Sequence, residues 1–254
     1  MQLIDYDTSS FNGMPSLNMA LNAYNTHKLD SIISTSIRDI FLKHGAHSRF
    51  ALNLIHRHFT LHSQERNVHV NNIALPWDAA TMPQDILERT VPILWRFSKS
   101  GTAGPGLLSC EFEYEPRASI ATSTSAVDLS RDKPFLTDLY VFLAEQKLTR
   151  YLGISRLSAE DKSNMMSPTL PPIEITEGRA NITFPAHLQP QAGKAAQVSW
   201  RFDENQLGNT KCVSSCQLNL EGSHLRWHDE ESDDDDDDDD DDDGDDDNDD
   251  DDDE

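Results

Sequence analysis

Residues 29–59 read LDSIISTSIRDIFLKHGAHSRFALNLIHRHF, and within this stretch the spacing of apolar residues changes its period. Leu29, Ile32, Ile33, Ile37, Ile40 and Phe41 recur at intervals of three and four, which places them on one face of a helix. Lys43 and His44 fall in the last turn, where positive charge suits the exposed carbonyls. Gly45 can adopt the left-handed conformation that ends the helix. The pattern predicts a helix from about residue 29 to 44. From Arg49 the apolar residues alternate instead: Phe50, Leu52, Leu54, His56 and His58 oppose Arg49, Ala51, Asn53, Ile55 and Arg57. That period suits a strand, although Phe50, Leu54 and His58 also stack at helical spacing. Asn67 to Asn71 follows a polar break as a second alternating run, and a hairpin between the two is the economical assignment.

Outward from this stretch the two periods continue to mix. Ser16 is placed to cap a helix carrying Leu17, Ala20, Leu21 and Tyr24 on one face. Pro76-Trp77-Asp78 predicts a turn, with a helix opened by Thr81 or Pro83 and closed before Pro92. Gly101 to Gly106 has the composition of a surface loop, and Leu108 to Tyr114 alternates as a strand. Asp132 precedes a helix with Pro134 in its first turn, a stripe of Leu136, Leu139, Tyr140 and Leu143, and Gly153 at its end. Ser158 to Pro172 reads as loop or short helix. Ile173–Ile175, Ile182–Phe184, Val198–Phe202, Cys216–Leu220 and Leu225–Trp227 then form short alternating runs between polar turns. Helices without a regular strand–helix repeat imply an α+β domain on a mainly antiparallel sheet. The expected organisation is a flexible arm over 1–15, one globular domain over 16–228 and a disordered polyaspartate tail over 229–254.

The charge supports that division. Of 45 acidic residues, 23 lie between Asp229 and Glu254, which leaves 22 acidic against 21 basic side chains in the rest. A tail with no apolar residue cannot offset the entropy of ordering itself, and its charges repel. The nearly neutral remainder shows no basic stripe, so nucleic-acid binding is not expected. No run of 18 apolar residues predicts a membrane span. Asp5 and Asp7 stand where a secretory signal would be basic and then apolar. Cys110, Cys212 and Cys216 are too few to staple the chain. An intracellular setting, cytoplasmic or nuclear, fits these features.

The chemistry-bearing residues form two sets. His44, His47, His56, His58, His62 and His69 place six of the ten histidines within 26 residues. On a strand, His56 and His58 project from one face. A third nitrogen from His44, His47 or His69 would complete a site for zinc or another borderline metal. The competing account is a half-buried edge whose imidazoles satisfy backbone carbonyls, since the spacing contains neither HExxH nor paired CxxC. The second set is Cys212 and Cys216, with His224 or His228 as possible Cys2His2 partners; two ordinary buried cysteines at a turn is the preferred reading. A nucleophile elbow, a phosphate-cradling loop and a dinucleotide fingerprint are all missing. No catalytic residue or cofactor is assigned.

Asp233 to Asp253 contains 19 aspartates in 21 positions. In composition it resembles the acidic tails of histone chaperones, which implies contact with basic proteins. A tail that only solubilises the domain is the simpler alternative. The segments His44-Gly45-Ala46-His47-Ser48-Arg49-Phe50, His56-Arg57-His58-Phe59 and Ala74-Leu75-Pro76-Trp77 resemble a family of uncharacterised proteins from filamentous ascomycete fungi, over roughly residues 30–80. The resemblance implies a fungal, intracellular protein and carries over no activity, cofactor or residue role. The leading expectation is a non-enzymatic interaction protein that uses its tail. The alternative is a small-molecule or metal-dependent enzyme centred on His44 to His58.

Overall fold

The computed structural model describes residues 1–100, 104–116, 127–157, 171–185, 194–204, 210–219 and His224. The expectations for Ser158–Leu170, for Leu225–Trp227 and for the polyaspartate tail lie outside the described residues. The α+β class holds: helices pack against one large, mixed and mainly antiparallel sheet.

The strands are β1 (Gln2–Ile4), β2 (Phe50–Leu54), β3 (Glu65–Val70), β4 (Ile73–Asp78), β5 (Thr90–Ser100), β6 (Gly104–Tyr114), β7 (Leu152–Arg156), β8 (Ile173–Glu177), β9 (Ala180–Phe184), β10 (Lys194–Phe202) and β11 (Thr210–Leu218). They run in the order β1-β6-β3-β4-β9-β8-β11-β10-β2-β7-β5, and β5 bonds back to β6, closing a barrel. Closure pairs β5 with β6 and leaves β1, bonded to β6 alone among the described strands, as an edge. The hairpin expected between β2 and β3 does not form. β2 pairs with β7 and β10, whereas β3 pairs with β4 and β6. Pro76-Trp77-Asp78 ends β4 rather than forming a turn, and Gly104 to Gly106 belong to β6.

The helices are α1 (Thr8–Asn12), α2 (Leu17–Thr26), α3 (Leu29–Ile32), α4 (Arg38–Lys43), α5 (Gln84–Leu87) and α6 (Leu129–Glu145). The predicted helix over 29–44 is α3 and α4 joined by a π turn over Ile33–Ile37. Ser34 and Thr35 in that turn donate from their hydroxyls to the carbonyls of Asp30 and Ser31, at 2.7 and 2.6 Å. Such back-bonding competes with the regular ladder and marks a local departure from α geometry. Ile33 and Ile37 remain buried across it. Gly45 takes φ of 59°, as the helix ending requires. Ser16 caps α2 through the Met19 amide. α6 begins a turn earlier than expected: Asp128 is its cap, and Asp132 is fully buried, accepting from Arg49 Nη2 at 2.7 Å. Gly153 does not end this helix. It lies in β7, where an added Cβ would meet the Trp95 carbonyl at 2.3 Å.

The N-terminal segment, expected to be a flexible arm, is packed into the body. β1 pairs with β6, and Phe11 and Met14 are buried with Ile55, Leu61 and Cys110. The main core lies where β2, β5, β7 and β10 meet the helices. Register puts Trp200, Leu52, Ile154 and Trp95 side by side, and Phe41, Phe135, Leu136 and Leu139 bury against that surface. Elsewhere the wall is polar. Bonded partners carry one face from Cys216 through Glu174, Thr176, Asn181, Ala74, His69 and Asn67 to Glu111. Among the described residues no helix is long and apolar enough to cross a membrane.

Candidate metal centre

His56 and His58 sit just past the end of β2, on either side of Arg57, which bridges to Ser16. The Ile55 amide donates to the Tyr151 carbonyl at 2.8 Å and the Arg57 amide to the Pro15 carbonyl at 3.0 Å. This double clamp fixes the segment that carries both histidines, whose ring centroids lie 4.9 Å apart. Cys216 faces them from β11. His224 returns over them, because an antiparallel bridge between Leu218 and His224 folds the chain back.

The four side chains converge. Ligand atoms of His56, His58, Cys216 and His224 all lie within 4.8 Å of one another. The rings pack around one point, with centroids 4.9 Å apart for His56–His58, 5.2 Å for His56–His224 and 4.1 Å for His58–His224. Tetrahedral zinc bonds of roughly 2.0–2.3 Å place neighbouring donors about 3.3–3.6 Å apart. Cys216 Sγ and His56 Nε2 are already 3.3 Å apart.

The groups behind these donors orient them. His56 Nδ1 is 2.7 Å from the Leu54 carbonyl, which can only accept, so Nδ1 carries the proton and Nε2 presents its lone pair to Cys216. His58 Nδ1 meets Thr176 Oγ1 at 3.0 Å, leaving Nε2 toward the cluster. This is how metal-ligating histidines are usually fixed in tautomer and direction. Burial, together with the neighbouring His58 charge, pushes the His56 pKa down to about 4. His56 is therefore neutral at physiological pH, the form that binds metals.

Glu174 adds charge from the next strand. Its Oε2 lies 3.2 Å from His58 Nε2, 3.7 Å from Cys216 Sγ and 3.1 Å from Asn181 Nδ2. Burial would raise its pKa, but the His58 hydrogen bond and the His58 and His56 charges outweigh that and hold it at about 2. Burial and the Glu174 carboxylate push the Cys216 thiol well above its ordinary range. A carboxylate and a thiol buried side by side require a cation before both can be anionic. A divalent metal meets that requirement.

Of the four histidines singled out from sequence, the fold brings two to the site. His44 ends α4 and binds Asp138 of α6, Nε2 to Oδ2 at 2.9 Å. His47 lies 3.2 Å from Glu204. Neither belongs to the cluster, because the turn between α4 and β2 points them back toward other helical and strand-end carboxylates. His69 pairs with Glu111 at 2.8 Å instead of joining His56 across a hairpin. Cys212 bonds Ser214 and Ser215 and is also outside the cluster, while His228 lies beyond the described residues. The sequence groups Cys216 with His224 but sets neither beside His56 and His58; two incomplete ligand sets in one chain are the signal it offers. Glu174 had none, reading simply as the polar residue between Ile173 and Ile175.

No protein-family model, curated protein or solved structure matches this chain. The functional reading accordingly stands on the cluster's geometry.

A cleft of about 530 Å3 reaches the cluster, with His58 and His224 in its wall. That size falls within the ~300–1,000 Å3 common for small-molecule sites.

Proposed function

We propose that the protein is a metal-dependent enzyme or metal-binding domain acting on a small molecule, with His56, His58, Cys216 and His224 as ligands. Convergence of four ligand atoms within 4.8 Å, from three separate parts of the chain, is the observation that carries this reading. A mixed nitrogen and sulfur donor set favours zinc or another borderline metal. The adjoining cleft gives a small molecule access to two of the ligands. Glu174, whose Oε2 lies 3.7 Å from Cys216 Sγ, would add negative charge beside a bound ion. An intracellular setting, cytoplasmic or nuclear, keeps Cys216 reduced and able to ligate; the fungal origin implied by the resemblance over residues 30–80 is part of the same proposal.

Elemental mass spectrometry of the full-length protein, purified without chelator, tests it. About one zinc or comparable ion per chain is expected, and replacing His56 and His58 together with alanine should abolish it. Wild-type protein that takes up neither zinc, cobalt nor nickel would end the reading.

A separate proposal concerns the tail, supported by the confinement of 19 aspartates to Asp233–Asp253. It engages basic proteins through an attraction that salt screens. Capture of a basic partner should weaken steeply with salt and depend on residues 229–254; capture unchanged by their deletion leaves the tail a solubilising segment.

A further inference from the structure

The cleft beside the cluster contains a positive charge for which the metal centre has no use. Leu17 and Phe59 give it apolar wall, Arg57 and Arg179 its charge, and His58 and His224 its connection to the cluster. No carboxylate is among its lining residues. The two arginines are not equivalent. Arg179 is neutralised by Glu65, with Nη1 to Oε1 at 3.2 Å and Nη2 to Oε2, and it also donates to the Thr60 carbonyl. Arg57 Nη1 donates to the carbonyls of Asn12 and Met14, the latter at 3.3 Å. Those carbonyls fix the direction of the guanidinium without cancelling its charge. Among the described residues Arg57 forms no ion pair, and its Nε and Nη2 have no hydrogen-bond partner.

The lining gives the sign of the ligand: among the described residues Arg57 is the arginine of the cleft that no carboxylate neutralises. Guanidinium presents its N–H groups in a fork that matches the paired oxygens of carboxylate or phosphate. We propose that the cleft binds a small organic anion, its carboxylate or phosphate oxygens on Arg57 and its apolar body against Leu17 and Phe59, beside the metal. This rests on the metal-centre reading for its position but not for its charge selectivity.

Benzoate, phenyl phosphate and the neutral benzamide, titrated calorimetrically into full-length protein, provide the test. Zinc-loaded and chelator-treated samples are compared, and zinc content is measured in each. An anion should bind at least about tenfold more tightly than benzamide, the scale of one charge-assisted hydrogen bond. Which of the two anions binds better identifies the head group. Arg57→Gln should remove most of that preference, and Arg57→Lys should restore part of it. Benzamide binding as well as both anions would overturn the proposal on wild-type protein alone, whatever Arg57→Gln does to folding. So would an anion preference that survives in a folded Arg57→Gln protein. Zinc at full stoichiometry with no anion preference defeats this proposal and spares the metal centre. Anion preference through Arg57 in a protein that takes no zinc does the reverse.

Discussion

Two stretches of one closed sheet are finished in opposite ways. Where β2, β5, β7 and β10 meet the helices, Leu52, Trp95, Ile154 and Trp200 are covered by aromatic and aliphatic side chains, and Phe41 packs between Phe135 and Phe202 at centroid distances of 4.8 and 4.7 Å. Where β3, β6, β8, β9 and β11 adjoin the chain leaving β2, the neighbours are His56, His58, Glu174, Asn181, His69 and Glu111. The first region gains free energy from burial. The second loses some of it, because desolvated charges are rarely repaid in full by their partners. A fold that stabilises itself in one region and accepts that loss in another has a use for the polar region other than stability.

Substitutions should separate the two. Phe41→Ala, deep in the apolar region, is expected to cost about 3–5 kcal/mol. Urea unfolding would show this as a lower midpoint, while zinc affinity of the folded protein stays unchanged. A large loss of affinity instead would mean the two regions are coupled.

His69→Gln probes the polar region away from the metal ligands. Burial opposes charge on His69, but its hydrogen bond to Glu111 prevails and raises its pKa above 6.5. Burial likewise opposes charge on Glu111, and the same bond holds its pKa below 4.5. The histidine contribution is fully present below pH 6.5 and lost as pH rises through its folded value; the glutamate contribution is present above pH 4.5 and lost as pH falls. The pair therefore stabilises most between those values. Breaking it should cost roughly 2 kcal/mol near pH 6, below the range for fully buried pairs because His69 is partly exposed. The difference from wild type should shrink at alkaline pH. A difference that does not vary with pH would mean His69 is uncharged.

The smallest effect is expected at Thr176→Val, which removes the hydroxyl that meets His58 Nδ1 at 3.0 Å. Zinc affinity should fall about tenfold, the low end for partners behind a metal ligand, with little change in stability. Unchanged affinity would show that Thr176 does not orient His58.

The apolar region was the more legible in the sequence. Its helix over residues 29–43 advertises itself through a stripe of isoleucines and a closing Gly45, both local signals. Strand pairing is not local. β2 finds its partners around Ile154 and Trp200, over 100 residues away, so proximity in sequence wrongly favoured β3. The candidate metal site shows the same limit. His56 and His58 are legible as a pair two residues apart, but their partners Cys216 and His224 come from β11 and the chain just after it. His44 and His47 were drawn in by closeness along the chain, although a helix end and a turn separate them from the cluster. The buried Glu174 carries no signal of its own, because alternation alone does not tell a closed barrel from a half-exposed sheet.

Cobalt substitution tests the central claim most directly, since the ion reports its ligands in its spectrum. Full-length protein loaded with cobalt should show the intense visible bands of a tetrahedral ion and a near-ultraviolet thiolate-to-cobalt band. Cys216→Ser should remove the thiolate band, while Cys212→Ser leaves it in place. Weak octahedral bands, or a thiolate band indifferent to Cys216, would contradict a centre built from His56, His58, Cys216 and His224.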